Sequence, residues 1–148
     1  IPAILSWYGR TNSTVENGPH ISTDIFPTIL ELCGGNPDEY DLDGMSLVPI
    51  IEGTGSSEHE YLFWEMEGQT AARKGKYKLV LNGQLVEGEE QRANAFLSDL
   101  ETDPGEKYNL ADEMPELCNE MKEKAMNWRD NIEKVWNDKF AKNYSSLT

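Results

Sequence analysis

The chain opens on a short apolar run. Ile1 to Trp7 is apolar and bounded by Gly9-Arg10, the pattern of a buried strand. Thr11 to Pro19 is polar and rich in Gly and Asn, so it reads as a loop. Helical spacing follows, with Ile25, Ile29, Leu32 and Cys33 at steps of three and four. Ser22 or Thr23 is the expected N-cap, and Gly34-Gly35 stops the helix. Pro27 is acceptable only in a first turn, which places the helix start close to Asp24. Strand, loop and helix form an α/β signature, and such a strand wants parallel neighbours.

Asn36 to Gly44 reads as an acidic loop, and Ser46 to Ile51 as a short turn of helix ended by Gly53. Thr54 to Ser57 is the most linker-like stretch and marks the expected organisational boundary. Strands are expected at Tyr61 to Met66, Thr70 to Arg73, Tyr77 to Leu81 and Ala95 to Leu100. Gln84 to Gln91 is a return strand or polar loop, and Asn82-Gly83 is a hairpin signal. Strands joined by short turns imply an antiparallel sheet. A long helix closes the pattern, with Pro115 in its first turn and Asp112 or Met114 near its cap. Leu117, Met121, Ala125, Trp128, Ile132, Val135 and Trp136 make one apolar stripe on it. The stripe is expected to cover the sheet; binding a partner is the other use of such a pattern.

Composition narrows the classes. At 148 residues the chain is one ordinary domain, or one domain plus a piece of another. It begins Ile1-Pro2-Ala3 with no initiator Met and no signal-type segment, as if inside an element. No stretch approaches the ~18 apolar residues of a membrane helix. Thirteen basic and 27 acidic residues give a net charge of -14. That charge argues against sequence-independent nucleic-acid binding and against docking on anionic lipid. Four Trp, six Tyr and four Phe imply a core. Cys33 and Cys118 belong to no Cys-x-x-Cys or Cys/His cluster, so no zinc site is expected. They form a disulfide or, as the reading favoured here, two buried free thiols.

Candidate chemistry is sparse. His20 and His59 sit in polar loops and read as surface or loop-anchoring residues, and no nucleophile-elbow pattern is present. The run Asp38 to Gly44 resembles a calcium loop in part. With Gly44 at position 6, however, the bidentate position 12 is Ile50, which cannot bind a cation. Lys74, Lys76 and Lys78 would share one strand face, as a small anion site or as a solvated face, the latter being expected. No glycine-rich phosphate loop is found. Asn12-Ser13-Thr14 and Asn143-Tyr144-Ser145 are formal glycosylation sequons. From the residues alone, no complete active site emerges.

Five segments, read in order, resemble the C-terminal part of an arylsulfatase-type sulfatase of the alkaline-phosphatase-like superfamily. Ile1 to Arg10 is similar to a family strand ending Trp-Pro-Gly, with Tyr8 in the place of Pro. Asp24-Ile25-Phe26-Pro27-Thr28 is similar to Asp-Leu-Phe-Pro-Thr, and Leu42-Asp43-Gly44-Met45-Ser46-Leu47 to Leu-Asp-Gly-x-Ser-Leu. Leu62-Phe63-Trp64-Glu65, continued by Arg73-Lys74-Gly75-Lys76-Tyr77-Lys78-Leu79-Val80, is the fourth. The fifth is Leu97-Ser98-Asp99-Leu100-Glu101-Thr102-Asp103-Pro104-Gly105-Glu106, running on to Asn109-Leu110-Ala111.

The resemblance implies α/β architecture in the parent protein and α+β in this piece. Residues 1–56 would be the last strand and helix of the catalytic core. Residues 57–148 would be a C-terminal subdomain, a small antiparallel sheet packed by the long helix. It implies a sulfuric ester hydrolase with formylglycine and calcium, acting on a sulfated small molecule or carbohydrate, in a periplasmic or secreted parent. Within this stretch it implies no catalytic and no metal residue, so the piece alone is expected to be inactive. Met66 stands where a His is common, so the resemblance assigns no role there; Glu65 and Gln69 are candidates for a substrate rim, with edge-strand residues facing solvent as the reading favoured. The N-terminal core of the parent is the implied partner. Self-association through the exposed edge of Ile1 to Trp7 is a further expectation. The competing readings are a small acidic interaction module using Trp128 and Trp136, and a phosphonate or phosphate ester hydrolase of the same superfamily.

Overall fold

The computed structural model describes residues 3–11, 13, 15–57, 59–66, 68–83 and 93–141. They divide into two compact units, Ile1–Glu60 and Tyr61–Thr148.

In the first unit, residues 3–7 form no strand, which corrects the buried-strand expectation. Strand geometry is held by a neighbour's backbone groups, and among the described residues no such neighbour pairs with this run. Ile4 and Leu5 are instead exposed, and a turn follows in which the Trp7 carbonyl accepts from Arg10 and Thr11 N–H, both at 3.0 Å. Edge pairing between two copies through this segment therefore loses the strand it required.

A single 3-10 turn, Ser22–Asp24, leads into helix α1, Ile25–Leu32, starting where Pro27 demanded. Neither Ser22 nor Thr23 caps it. The Asp24 carboxylate reaches back instead and accepts the Ile21 N–H at 2.9 Å. Gly34 ends the helix at φ +85, with Gly34 N–H on Glu31 O and Gly35 N–H on Leu30 O, both at 2.9 Å. That is the paired carbonyl cap a left-handed glycine allows. Helix α2, Val48–Ile51, is the predicted short turn. Thr28 ties the two together, donating its hydroxyl to Asp24 O at 2.6 Å and accepting Leu47 N–H at 2.8 Å.

The second unit is a four-stranded antiparallel meander, β1 Leu62–Met66, β2 Gln69–Lys74, β3 Tyr77–Leu81 and β4 Ala95–Asp99, in that spatial order. Phe63, Ala72, Leu79 and Leu97 stand side by side across the four strands. Helix α3, Pro115–Trp136, lays Cys118, Met121 and Ala125 on this row, and together they make the core. Each large side chain so buried contributes about 1.5–3 kcal/mol. Trp128 extends the contact by stacking on Phe63, ring centroids 5.3 Å apart. The stripe is then spent: Ile132 and Val135 are exposed. Half of the predicted apolar face packs on the sheet.

Two further expectations need correction. Asn82 does end β3, at φ +54, but its N–H bonds Asn94 O at 3.1 Å. The β3–β4 connection thus runs through residues 82–94 and is no two-residue hairpin; the segment Gln84 to Gln91 lies outside the described residues. Of the two free thiols, Cys118 is buried and Cys33 is exposed just past α1.

The segment after β4 is a chain of side-chain staples. Asp99 Oδ1 accepts the N–H of Glu101 at 3.0 Å, and Asp103 Oδ2 those of Lys107 and Tyr108 at 2.6 and 2.9 Å. Asn109 then occupies the edge of β4, accepting Leu97 N–H and donating to Ala95 O, each at 3.0 Å. The family-like run Leu97 to Ala111 is thus a turn built from three carboxylate and amide side chains. Among the described residues, no helix is long and apolar enough to cross a membrane.

Candidate functional site

In the first unit, three segments converge on Asp24, whose side chain is wholly buried. Its Oδ1 accepts Met45 N–H at 2.9 Å and its Oδ2 accepts Ile21 N–H at 2.9 Å. His59 Nε2 lies 2.8 Å from Oδ1 and 3.0 Å from Oδ2. A carboxylate only accepts, so this nitrogen carries the proton and donates. Each carboxylate oxygen takes two contacts. Gly44 makes the convergence possible, since a Cβ there would stand 2.2 Å from Thr23 O. Asp24 is committed to the fold and has no oxygen to spare for a cation. His59 is a loop-anchoring residue, as its sequence context implied. His20 joins it only in lining a cavity of about 540 Å³, with Glu31, Asp38 and Tyr40.

In the second unit, both rim candidates line one concavity, but their positions alternate between the two faces of the hairpin. Glu65 pairs with Thr70 across β1 and β2, on the face that α3 covers. Arg129 of α3 donates to Thr70 Oγ1 at 2.8 Å and holds Nε 3.8 Å from Glu65 Oε2. Gln69 pairs with Met66 at the hairpin end and shares the opposite face with Ala71. That face, continued by Val80 and Phe96, forms a concavity of about 270 Å³. Trp64 and Met66 line it, and the Lys78–Glu106 ion pair, 2.7 Å long, borders it. The two candidates thus stand on opposite sides of one hairpin.

The three lysines of the supposed anion face are each matched by a carboxylate. Lys74 bonds Glu120, Lys76 bonds Asp99 at 2.8 Å, and Lys78 bonds Glu106. Hydrogen bonding to Glu120 raises the Lys74 pKa, and that to Asp99 raises Lys76's. The same bonds, Lys76 to Asp99 and Lys74 to Glu120, lower the two carboxyls. Tyr61, whose hydroxyl donates to Glu120 at 2.7 Å, is raised by burial and by that bond. These pairs are structural ties between strands, helix and turn.

The described residues do not fit a calcium site, and neither cysteine fits a formylglycine site. Among the described residues, no group of three or more His, Cys, Asp or Glu could hold a metal ion. Cys33 stands in Cys-Gly-Gly-Asn-Pro and Cys118 in Cys-Asn-Glu-Met-Lys, neither of which is the Cys-x-Pro-Ser-Arg pattern.

Sequence reasoning missed the Asp24–His59 pair. The only signal was an acidic residue at a helix start, and nothing announced its partner.

Comparison with known proteins gives the context. No family model matches the chain. Arylsulfatase A of Bos taurus is 32% identical over 139 residues, 80% of this chain and 27% of the relative. Arylsulfatase A of Homo sapiens is 32% identical over 146 residues, 82% of this chain and 29% of the relative. The chain thus spans about a quarter of the length of these curated relatives, and matches their C-terminal portion. A solved sulfatase structure concerned with glycosaminoglycan metabolism by Bacteroides thetaiotaomicron aligns over 72% of this chain and 24% of its own, at TM-score 0.57 and 24% identity. Motif order, sequence identity and fold agree: over about 80% of its length the chain is similar to the arylsulfatase type of sulfatase, as a C-terminal part of such a protein.

Proposed function

We propose that this sequence is the C-terminal part of a sulfuric ester hydrolase, inactive by itself. In this reading, residues 1 to about 56 end the catalytic core, with helix α1 as its last helix and residues 3–7 extended into a strand only where the core supplies a neighbour. The residues from about 57 are the C-terminal subdomain, which supports the core and shapes its substrate cleft. The observation that carries the reading is the 32% identity to arylsulfatase A, which runs through both units. Calcium and formylglycine would supply Lewis-acid polarisation of the sulfate and the attacking group in the whole enzyme. In this reading both lie in the polypeptide before Ile1, since among the described residues no group of His, Cys, Asp or Glu suits a metal and neither cysteine fits the formylglycine pattern. A sulfated carbohydrate or small sulfate ester is the proposed substrate, and the N-terminal core the proposed partner. Gln69, beside Trp64 and Met66 in the open concavity, is the better placed rim residue. Glu65 is turned toward Arg129 and would act through the hairpin's shape.

The test has two parts. The coding sequence upstream of Ile1 is expected to contain a Cys/Ser-x-Pro-Ser/Ala-Arg segment. The longer polypeptide is expected to hydrolyse p-nitrophenyl sulfate, and the pure 148-residue chain to leave it intact. Turnover by the short chain, or an upstream region without that segment, overturns the proposal.

A further inference from the structure

Helix α1 is apolar nearly all round, Ile-Phe-Pro-Thr-Ile-Leu-Glu-Leu. Within its own unit it buries only Pro27 and Thr28. The other side stands in water: Ile25 is 57% exposed, Phe26 60%, Ile29 55% and Leu32 42%. Apolar side chains at steps of four and three on the outer face of a helix are the mark of a buried face. A helix apolar on both sides belongs between two layers, and the unit supplies one. The neighbouring run of Ile4, Leu5 and Trp7 repeats the anomaly, since it too is apolar and exposed.

We propose that the Ile25–Ile29–Leu32 stripe is the docking face for an apolar β-sheet surface contributed by the polypeptide that precedes Ile1. The inference rests on the proposed sulfatase reading and adds the contact surface to it. Length supports this occupant: the chain matches the C-terminal portion of a relative of which it covers 27%. Most of such a protein therefore precedes the stripe. Chemistry supports it as well. The stripe carries no charge, so it fits a sheet of aliphatic side chains and offers nothing to a charged surface.

Two variants test it. Ile29→Asp with Leu32→Asp should leave the circular dichroism and melting midpoint of the 148-residue chain unchanged, because both sites already face water there. In the longer polypeptide the same pair should abolish soluble expression. In that polypeptide, Ile29→Cys on a Cys33→Ser background should also stay unlabelled by a maleimide that labels it in the short chain. A longer polypeptide that tolerates both aspartates, or labels freely at position 29, overturns the proposal. So does loss of fold in the short chain, which would bury the stripe within the chain itself. A dimer of the short chain that the aspartates dissociate, with the longer polypeptide unaffected, would assign the stripe to a second copy and also overturn it. Soluble yield and labelling read the stripe without activity, so an inactive unsubstituted polypeptide would count against the sulfatase reading alone.

Discussion

His59 hands one proton to both oxygens of the Asp24 carboxylate, at 2.8 and 3.0 Å, across 35 positions of chain. The two backbone N–H groups on the same carboxylate make Asp24 the knot of the first unit. Asp24→Ala leaves three donors unpaired in a buried place. The expected cost is about 1–3 kcal/mol for each buried donor left without an acceptor. Amide hydrogen exchange checks it: the Ile21 and Met45 amides should lose protection first. His59→Ala should cost less, because the carboxylate keeps its backbone donors.

Gly44→Ala should also unmake this knot. The added methyl meets Thr23 O at 2.2 Å and Asp24 N at 2.7 Å, both backbone atoms that cannot swing aside. Overpacking of this kind costs about 1–3 kcal/mol or more. Thermal melting of the variant should move down, whereas Gly68→Ala, with nothing near its Cβ, should melt close to the parent.

Within the second unit, Met121→Ala should cost about 2–5 kcal/mol, since the side chain is fully buried under the sheet. Val135→Ala, two turns past the last core contact and exposed, should stay within about 0.5 kcal/mol. Urea denaturation of both variants would show whether the apolar stripe of α3 is used for half its length, as the packing requires.

The ion pairs set a pH window. Asp99 and Glu120 are lowered by their lysines, so the stability they add is present above the ordinary carboxyl range. It is lost as pH falls through their folded values, that is, below about 4. Lys74, Lys76 and Tyr61 are raised, so their contribution is complete at neutral pH and lost as pH climbs past about 10. The second unit should therefore loosen at both ends of the scale. Lys74→Met should flatten both limbs in a pH series of melting curves. The effect is small, as exposed pairs are.

At the proposed rim, Gln69→Ala in the longer enzyme should raise KM for a sulfated oligosaccharide while leaving p-nitrophenyl sulfate turnover unchanged. Glu65→Gln weakens the Arg129 contact, so it should lower the melting point more than it alters KM. Equal kinetic effects on both substrates would remove Gln69 from the rim.

Local pattern carried much of this fold. The α1 start at Asp24, all five residues of β3 and the Pro115 start of α3 follow from proline placement and side-chain period. Residues 3–7 did not follow, because an apolar run becomes a strand only beside another strand. Glu65 and Gln69 look equivalent as letters after Phe63-Trp64. Their opposite faces depend on where the hairpin turns, which the register Met66↔Gln69 decides. The motif from Leu97 to Ala111 was readable as a family pattern, but its physical content, Asp99, Asp103 and Asn109 closing a turn, needed atoms. The Asp24–His59 knot left no periodic trace.

Asn109 has a consequence beyond its own turn. By giving β4 an amide where a fifth strand would offer peptide groups, it caps the growth of the sheet on that side. A second molecule cannot zip onto β4 without first displacing this side chain. Asn109, with the Leu110 N–H on Leu97 O at 2.8 Å beside it, thus guards this edge against fibre-like stacking.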